Sequence, residues 1–182
     1  MSSGAFWCAV MGVGRLMSYS LLAKIFHWGM VGLLAYGIFT QVDGDVIQLE
    51  DATLLYEEII FASLFLAILM MRFIYMSKTQ STALPINTSK WHKQIARAVH
   101  ISLYISLASI AISGLLIAVI FYAGFKTGIL INLAIELHKL TIVMSYWLIT
   151  AHIMAAFYHR LLGDGVWSAM TPFWKETNKR KK

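Results

Sequence analysis

A chain of 182 residues that is 59% hydrophobic and 13% charged, with a mean hydropathy of +0.69, falls well short of the roughly 25% charge of a soluble domain. Its single cysteine, Cys8, excludes an internal disulfide and a thiolate metal cluster. The net charge of +6 sits in short runs between apolar stretches, which points to a lipid surface and away from nucleic acid.

A bilayer core is spanned by about 20 apolar residues, and four stretches qualify: about 20–40, 53–76, 95–122 and 137–159. Residues 1–18 are apolar but short, with no basic run ahead of them, and fit a signal peptide poorly. They read as an extension at the membrane surface, or as lying upstream of a true start at Met17. Helix one opens with Tyr19-Ser20-Leu21-Leu22-Ala23, carries His27-Trp28 about two turns in, and ends before the turn Asp43-Gly44-Asp45. Helix two begins near Thr53, with Tyr56, Glu57 and Glu58 at its start and Arg72 and Tyr75 near its end. A polar loop containing Pro85 leads to helix three, which runs from about Lys93 past Arg97, His100, Tyr104 and Ser113-Gly114 toward Gly124 and Gly128. Helix four starts near Ile135, carries His138, Ser145, His152 and His159, and stops at Gly163-Asp164-Gly165. Short loops between such helices predict an all-α, integral membrane, four-helix up-down bundle. Its domain covers 19–162, between the extension 1–18 and a basic tail 163–182.

Charge gives the expected orientation. Residues 41–58 hold Asp43, Asp45, Glu50, Asp51, Glu57 and Glu58 and no base, whereas 77–97 hold Lys78, Lys90, Lys93 and Arg97 and no acid. The tail ends in Lys179-Arg180-Lys181-Lys182. The positive-inside rule places both termini and the middle loop in the cytoplasm of a bacterial inner membrane, and the acidic loop outside.

Histidines carry the chemistry. An ionisable ring at membrane depth is costly and marks a candidate functional site. With this orientation His27, His100 and His152 lie toward the inner side and His138 toward the outer side. His138 and His152, fourteen residues apart, are separated by about 21 Å along the helix. They lie about 40° apart around it, on one side. That is the pattern of axial ligands to b-type haem, with His27 reaching across to His152, and paired imidazoles give a low-spin, electron-transferring iron. The competing reading for each ring is an interhelical hydrogen bond. His100 reads as polar support for a haem propionate or a quinone, and His159 as a quinone or propionate contact set against plain snorkelling. His92 reads as solvated, and Tyr104 and Ser113-Gly114 as helix packing.

The pieces Tyr19-Ser20-x-x-Ala23-x-x-x-His27-Trp28, Trp91-x(4)-Ala96-x(3)-His100-x(3)-Tyr104, His138-x(13)-His152-x(6)-His159 and Asp164-Gly165-Val166 with Met170 resemble the prokaryotic cytochromes b561, four-helix membrane proteins that hold two haems b. The resemblance spans nearly everything after residue 18. It implies an inner haem on His27 and His152, and an outer haem on His138 and a helix-two histidine. Counted back from Arg72, that last position is Glu58, and helix two has no histidine. The outer haem is then absent, or five-coordinate on His138, or ligated by Glu58 or Tyr56. Alternatively Glu57 or Glu58 pairs with Lys139 or His138 and the site is a structural ion pair. One haem is the first expectation and two the second. Arg72 and Arg97 lead as propionate partners over Lys24 and Arg160, although positive-inside residues occur here without any haem. The implied function is electron exchange between haem b and the quinone pool. Some relatives are linked to superoxide oxidation at the outer face. The rival readings are a cytochrome subunit with an outer-face or membrane redox partner, a haem-less membrane anchor of a larger oxidoreductase or assembly, and a divalent-metal transporter.

Overall fold

The computed structural model describes residues 19–40, 52–79, 84 and 88–171. The extension 1–18, the loop acids Asp43, Asp45, Glu50 and Asp51, Pro85 and the tail beyond Thr171 lie outside the described residues. Four long helices follow in order: α1 Leu21–Thr40, α2 Ala52–Thr79, α3 Lys90–Tyr122 and α4 Ile129–Leu162. A short α5, Val166–Met170, follows α4. All four long helices have the length and apolar composition to cross a membrane. At 1.5 Å per residue α3 and α4 reach about 50 Å, more than the bilayer core alone requires.

Most large apolar side chains point away from the bundle. Leu21, Phe39, Ile129 and Leu161 are at least three-quarters exposed, as expected where lipid is the solvent and is as apolar as the interior. What is buried between helices is mostly apolar, with a few polar side chains, Arg72, Ser113 and Ser145, among them. Ser106 and Ser145 share a short hydrogen bond across α3 and α4, and Ser145 also donates to the Thr141 carbonyl at 2.8 Å. Ile117, Ile120, Ile131, Ala134 and Ile135 seal the end where α3 turns into α4. Met30, Phe65, Leu69 and Ala111 bind α1, α2 and α3 together. The pairings run antiparallel: Ser106 meets Ser145 while Ser113 meets His138.

The α3–α4 connection is tighter than hydropathy predicts. α3 begins at Lys90 rather than near Lys93, and α4 at Ile129 rather than near Ile135. Gly124 takes φ +93°, which lets the Phe125 amide close on the Ile120 carbonyl at 3.2 Å, and α4 restarts after Gly128 at φ +103°. These left-handed positions suit glycine. Hydropathy misses the first turns of α4 because Asn132 and Glu136 interrupt the apolar run.

At the other end Gly163, in the left-handed conformation, caps α4, and its amide reaches the His159 and Arg160 carbonyls. The start of the tail is therefore folded. α5 lies back on the bundle, with Trp167 against Phe157 at 5.5 Å and the Arg160 guanidinium 4.8 Å over the Trp167 ring. Trp28 Nε1 of α1 donates to the Met170 carbonyl at 3.3 Å. Helices α1 and α4 otherwise pack little on one another, so side chains span the space between them.

Candidate functional site

The bundle has a basic end, with the Lys90–Arg97 turn and α5, and an acidic end, with Glu57, Glu58 and the α3–α4 turn. At the basic end the structure brings three imidazoles together. His27 of α1 and His152 of α4 face each other with ring centroids 6.3 Å apart, and His100 of α3 stands 5.3 Å from His152, nearly perpendicular to it. His100 Nδ1 lies 2.7 Å from the Ala96 carbonyl. A carbonyl only accepts, so Nδ1 carries the proton and Nε2 keeps its lone pair.

Beside them is Arg72 of α2, 7% exposed. Its Nε donates to the Tyr104 hydroxyl at 3.1 Å, and Tyr104 in turn packs edge-on against Phe73. Arg72 lies within electrostatic range of both His27 and His152. Its Nη1 is buried and has no hydrogen-bond partner among the described residues. A buried, half-satisfied guanidinium at membrane depth is expensive and calls for an anion. Arg97, the other candidate from the sequence, is exposed on α3, and His92 is exposed in its first turn. The sequence points to packing alone for Tyr104, whereas in the structure its hydroxyl holds Arg72 in place.

His159, in the last turn of α4, donates from Nδ1 to Asp164 Oδ2 at 2.6 Å, and Asp164 Oδ1 accepts the Val166 amide at 3.2 Å. The Asp164-Gly165-Val166 motif thus orients a ring five residues upstream and caps α5. Among the tryptophans, Trp28 is tied to α5, whereas Trp147 is 73% exposed on α4.

The acidic end is built differently. A cavity of about 240 Å³ is lined by all four helices, among them Leu34, Phe65, Gly114 and Tyr146, with His138 on α4 and Glu58 on α2. The Ser113 hydroxyl has one proton and two carbonyls within reach, Ser109 at 2.6 Å and Ile110 at 3.1 Å. With its proton committed there, its oxygen accepts from His138 Nδ1 at 2.8 Å. His138 is therefore held with its Nε2 lone pair free. Gly114 lies against the ring: a Cβ there would stand 3.4 Å from His138 Cε1, an ordinary van der Waals contact. The ion pair of Glu57 or Glu58 with Lys139 or His138, one of the alternatives from the sequence, does not form in the structure. Lys139 pairs at 3.1 Å with Glu136, one turn away on its own helix, and His138 is taken by Ser113. Local i,i+3 pairing needs no crossing of the bundle.

Among the described residues no group of three or more His, Cys, Asp or Glu converges as a bare-ion site requires. A facing pair of imidazoles is a different donor set. Two imidazoles bound end-on to one metal through bonds of about 2 Å would have centroids about 6 Å apart, and a porphyrin supplies the other four nitrogens itself. The 6.3 Å separation of His27 and His152 matches that spacing, and the unpartnered Arg72 Nη1 suits the group's propionates.

A family model for prokaryotic cytochrome b561 matches residues 18–173. The chain belongs to the prokaryotic cytochrome b561 family. It is accordingly a membrane protein of a family of b-type, electron-transferring cytochromes, and its four apolar helices agree with that. Neither the curated proteins nor the solved structures gave a match. The family matches over all four helices and α5, so Glu58 lies inside the matched region of this b561 chain.

Proposed function

We propose that this chain is a b-type cytochrome of the bacterial inner membrane that exchanges electrons with the quinone pool through haem b held at its basic end. His27 and His152 would be the axial ligands and Arg72 the main propionate partner. When bound, haem b supplies a one-electron ferric–ferrous couple. The residues of the chain do the rest. Two neutral imidazoles favour a low-spin iron and leave no position open there. Tyr104 holds Arg72 by its Nε, so that Nη1 is left for a charge-assisted bond. The apolar walls keep water out and so set the potential.

A quinone takes up two electrons and two protons, so its site needs groups that hold protons near the redox centre. His100 and His159 are suited to this. Each has its Nδ1 bound to a neighbouring oxygen, Ala96 and Asp164 respectively, which leaves Nε2 to meet a quinone oxygen or to carry a proton. The basic end, facing the cytoplasm by the positive-inside rule, would be where those protons enter.

The observation that carries this reading is the His27–His152 pair beside a buried arginine with an unpartnered nitrogen. The test is a reduced-minus-oxidised spectrum of the purified protein with haem quantified per polypeptide. A low-spin b-type signal lost in His152→Ala is expected. No Soret band after expression with ample haem would overturn the reading and favour the haem-less anchor, the alternative that the missing helix-two histidine motivates.

A further inference from the structure

The acidic-end cavity is built to hold one axial imidazole and no second one. All six histidines of the chain lie among the described residues, and of these only His138 lines the cavity. That histidine is not idle packing. Ser113 holds its Nδ1, so that Nε2 keeps a free lone pair. A hydrogen bond of that kind orients a metal-ligating imidazole. Apart from Glu58, Lys139, Ser145 and Tyr146 the remaining walls are apolar, and they come from all four helices, as a flat prosthetic group between helices requires. On α2, at the position where the family resemblance calls for the partner histidine, the cavity wall carries Glu58.

We infer that this cavity takes a second haem b that the chain would hold through His138 alone, and that the coordination position left open would be a binding site for a small diatomic ligand. The inference rests on the b-type cytochrome reading above. Five-coordinate iron with one imidazole is the arrangement of ligand-binding haems, whereas paired imidazoles serve electron transfer. Lys139 also lines the cavity and is the cation nearest to a propionate there, and the carboxyl group of Glu58 in the wall can accept or donate a hydrogen bond.

The experiment uses the full chain purified in detergent after expression with ample haem. Haem per polypeptide, the electron paramagnetic resonance spectrum of the ferric state, and the carbon monoxide difference spectrum of the dithionite-reduced state are recorded together. Two haems per chain are expected, one low-spin and one high-spin, with carbon monoxide titrating to one per chain. His138→Ala should abolish the carbon monoxide response and leave the low-spin signal, which also reports that the variant has folded. Glu58→His should convert the high-spin signal to low-spin and lower the carbon monoxide response at least tenfold. One low-spin haem with no carbon monoxide binding would overturn the proposal, as would two low-spin haems in the unmodified chain. A carbon monoxide response that survives His138→Ala would overturn it too. Loss of the low-spin signal itself would instead sink the reading of the basic end.

Discussion

At the basic end three imidazoles stand around a buried guanidinium with a free nitrogen; at the acidic end one imidazole stands at the edge of a cavity whose α2 wall carries a carboxylate. Both ends use a histidine of α4 on the same side of the helix. They differ in what the other helices bring. α1 supplies His27 opposite His152, while α2 supplies Glu58 near His138. On the proposed reading, a site with matched nitrogen ligands and a cation would hold iron firmly and pass electrons, and a site with one nitrogen and an acid would leave a coordination position for something else. One helical scaffold would then carry two chemistries, because the helices fix depth and each end has its own partners.

The comparison breaks most sharply at His152. His152→Ala should remove the low-spin signal almost completely while the acidic-end haem content stays within the error of the haem assay, and equal losses at both ends would show that they are not independent. Arg72→Met comes next. Losing a charge-assisted bond to a propionate is worth about 2 kcal/mol, or roughly 30-fold weaker haem retention, read by titrating haem into apoprotein. Retention as good as in the parent chain would mean that Arg72 serves packing. Ser113→Ala sharpens the comparison from the other side. Loss of the group that orients His138 should weaken haem binding at the acidic end about tenfold and leave the low-spin signal unchanged. Tyr104→Phe, which removes one hydrogen bond to Arg72, should cost about 1 kcal/mol in thermal unfolding of the haem-loaded protein. Arg97→Gln is the smallest, within about 0.5 kcal/mol, because that side chain is exposed; a haem loss comparable to that of Arg72→Met would restore it as a propionate partner.

The sequence was enough to establish four helices, their apolar nature and the two depths at which α4 presents histidine. Hydropathy and residue spacing are one-dimensional quantities, and so are the motifs that point to the family. The exposed and buried faces of these helices were not legible. Membrane helices are apolar all round, so no amphipathic pattern marks the inward side. Arg72 and Arg97 are equal candidates on paper, one at the end of helix two and the other at the start of helix three. Only packing buries Arg72 against Tyr104 and leaves Arg97 exposed. Ser113-Gly114 looks like one more small-residue contact until the α3–α4 register sets it against His138. The Asp164 motif is visible in the chain, but that it orients His159 depends on the left-handed turn at Gly163. What the sequence determined by itself is the number, length and depth order of the helices, because the bilayer dictates those through composition. What only the tertiary structure decided is which polar side chains meet, because hydrogen bonds and ring contacts depend on helix rotation and register to within an ångström or two, about the tolerance of a hydrogen bond.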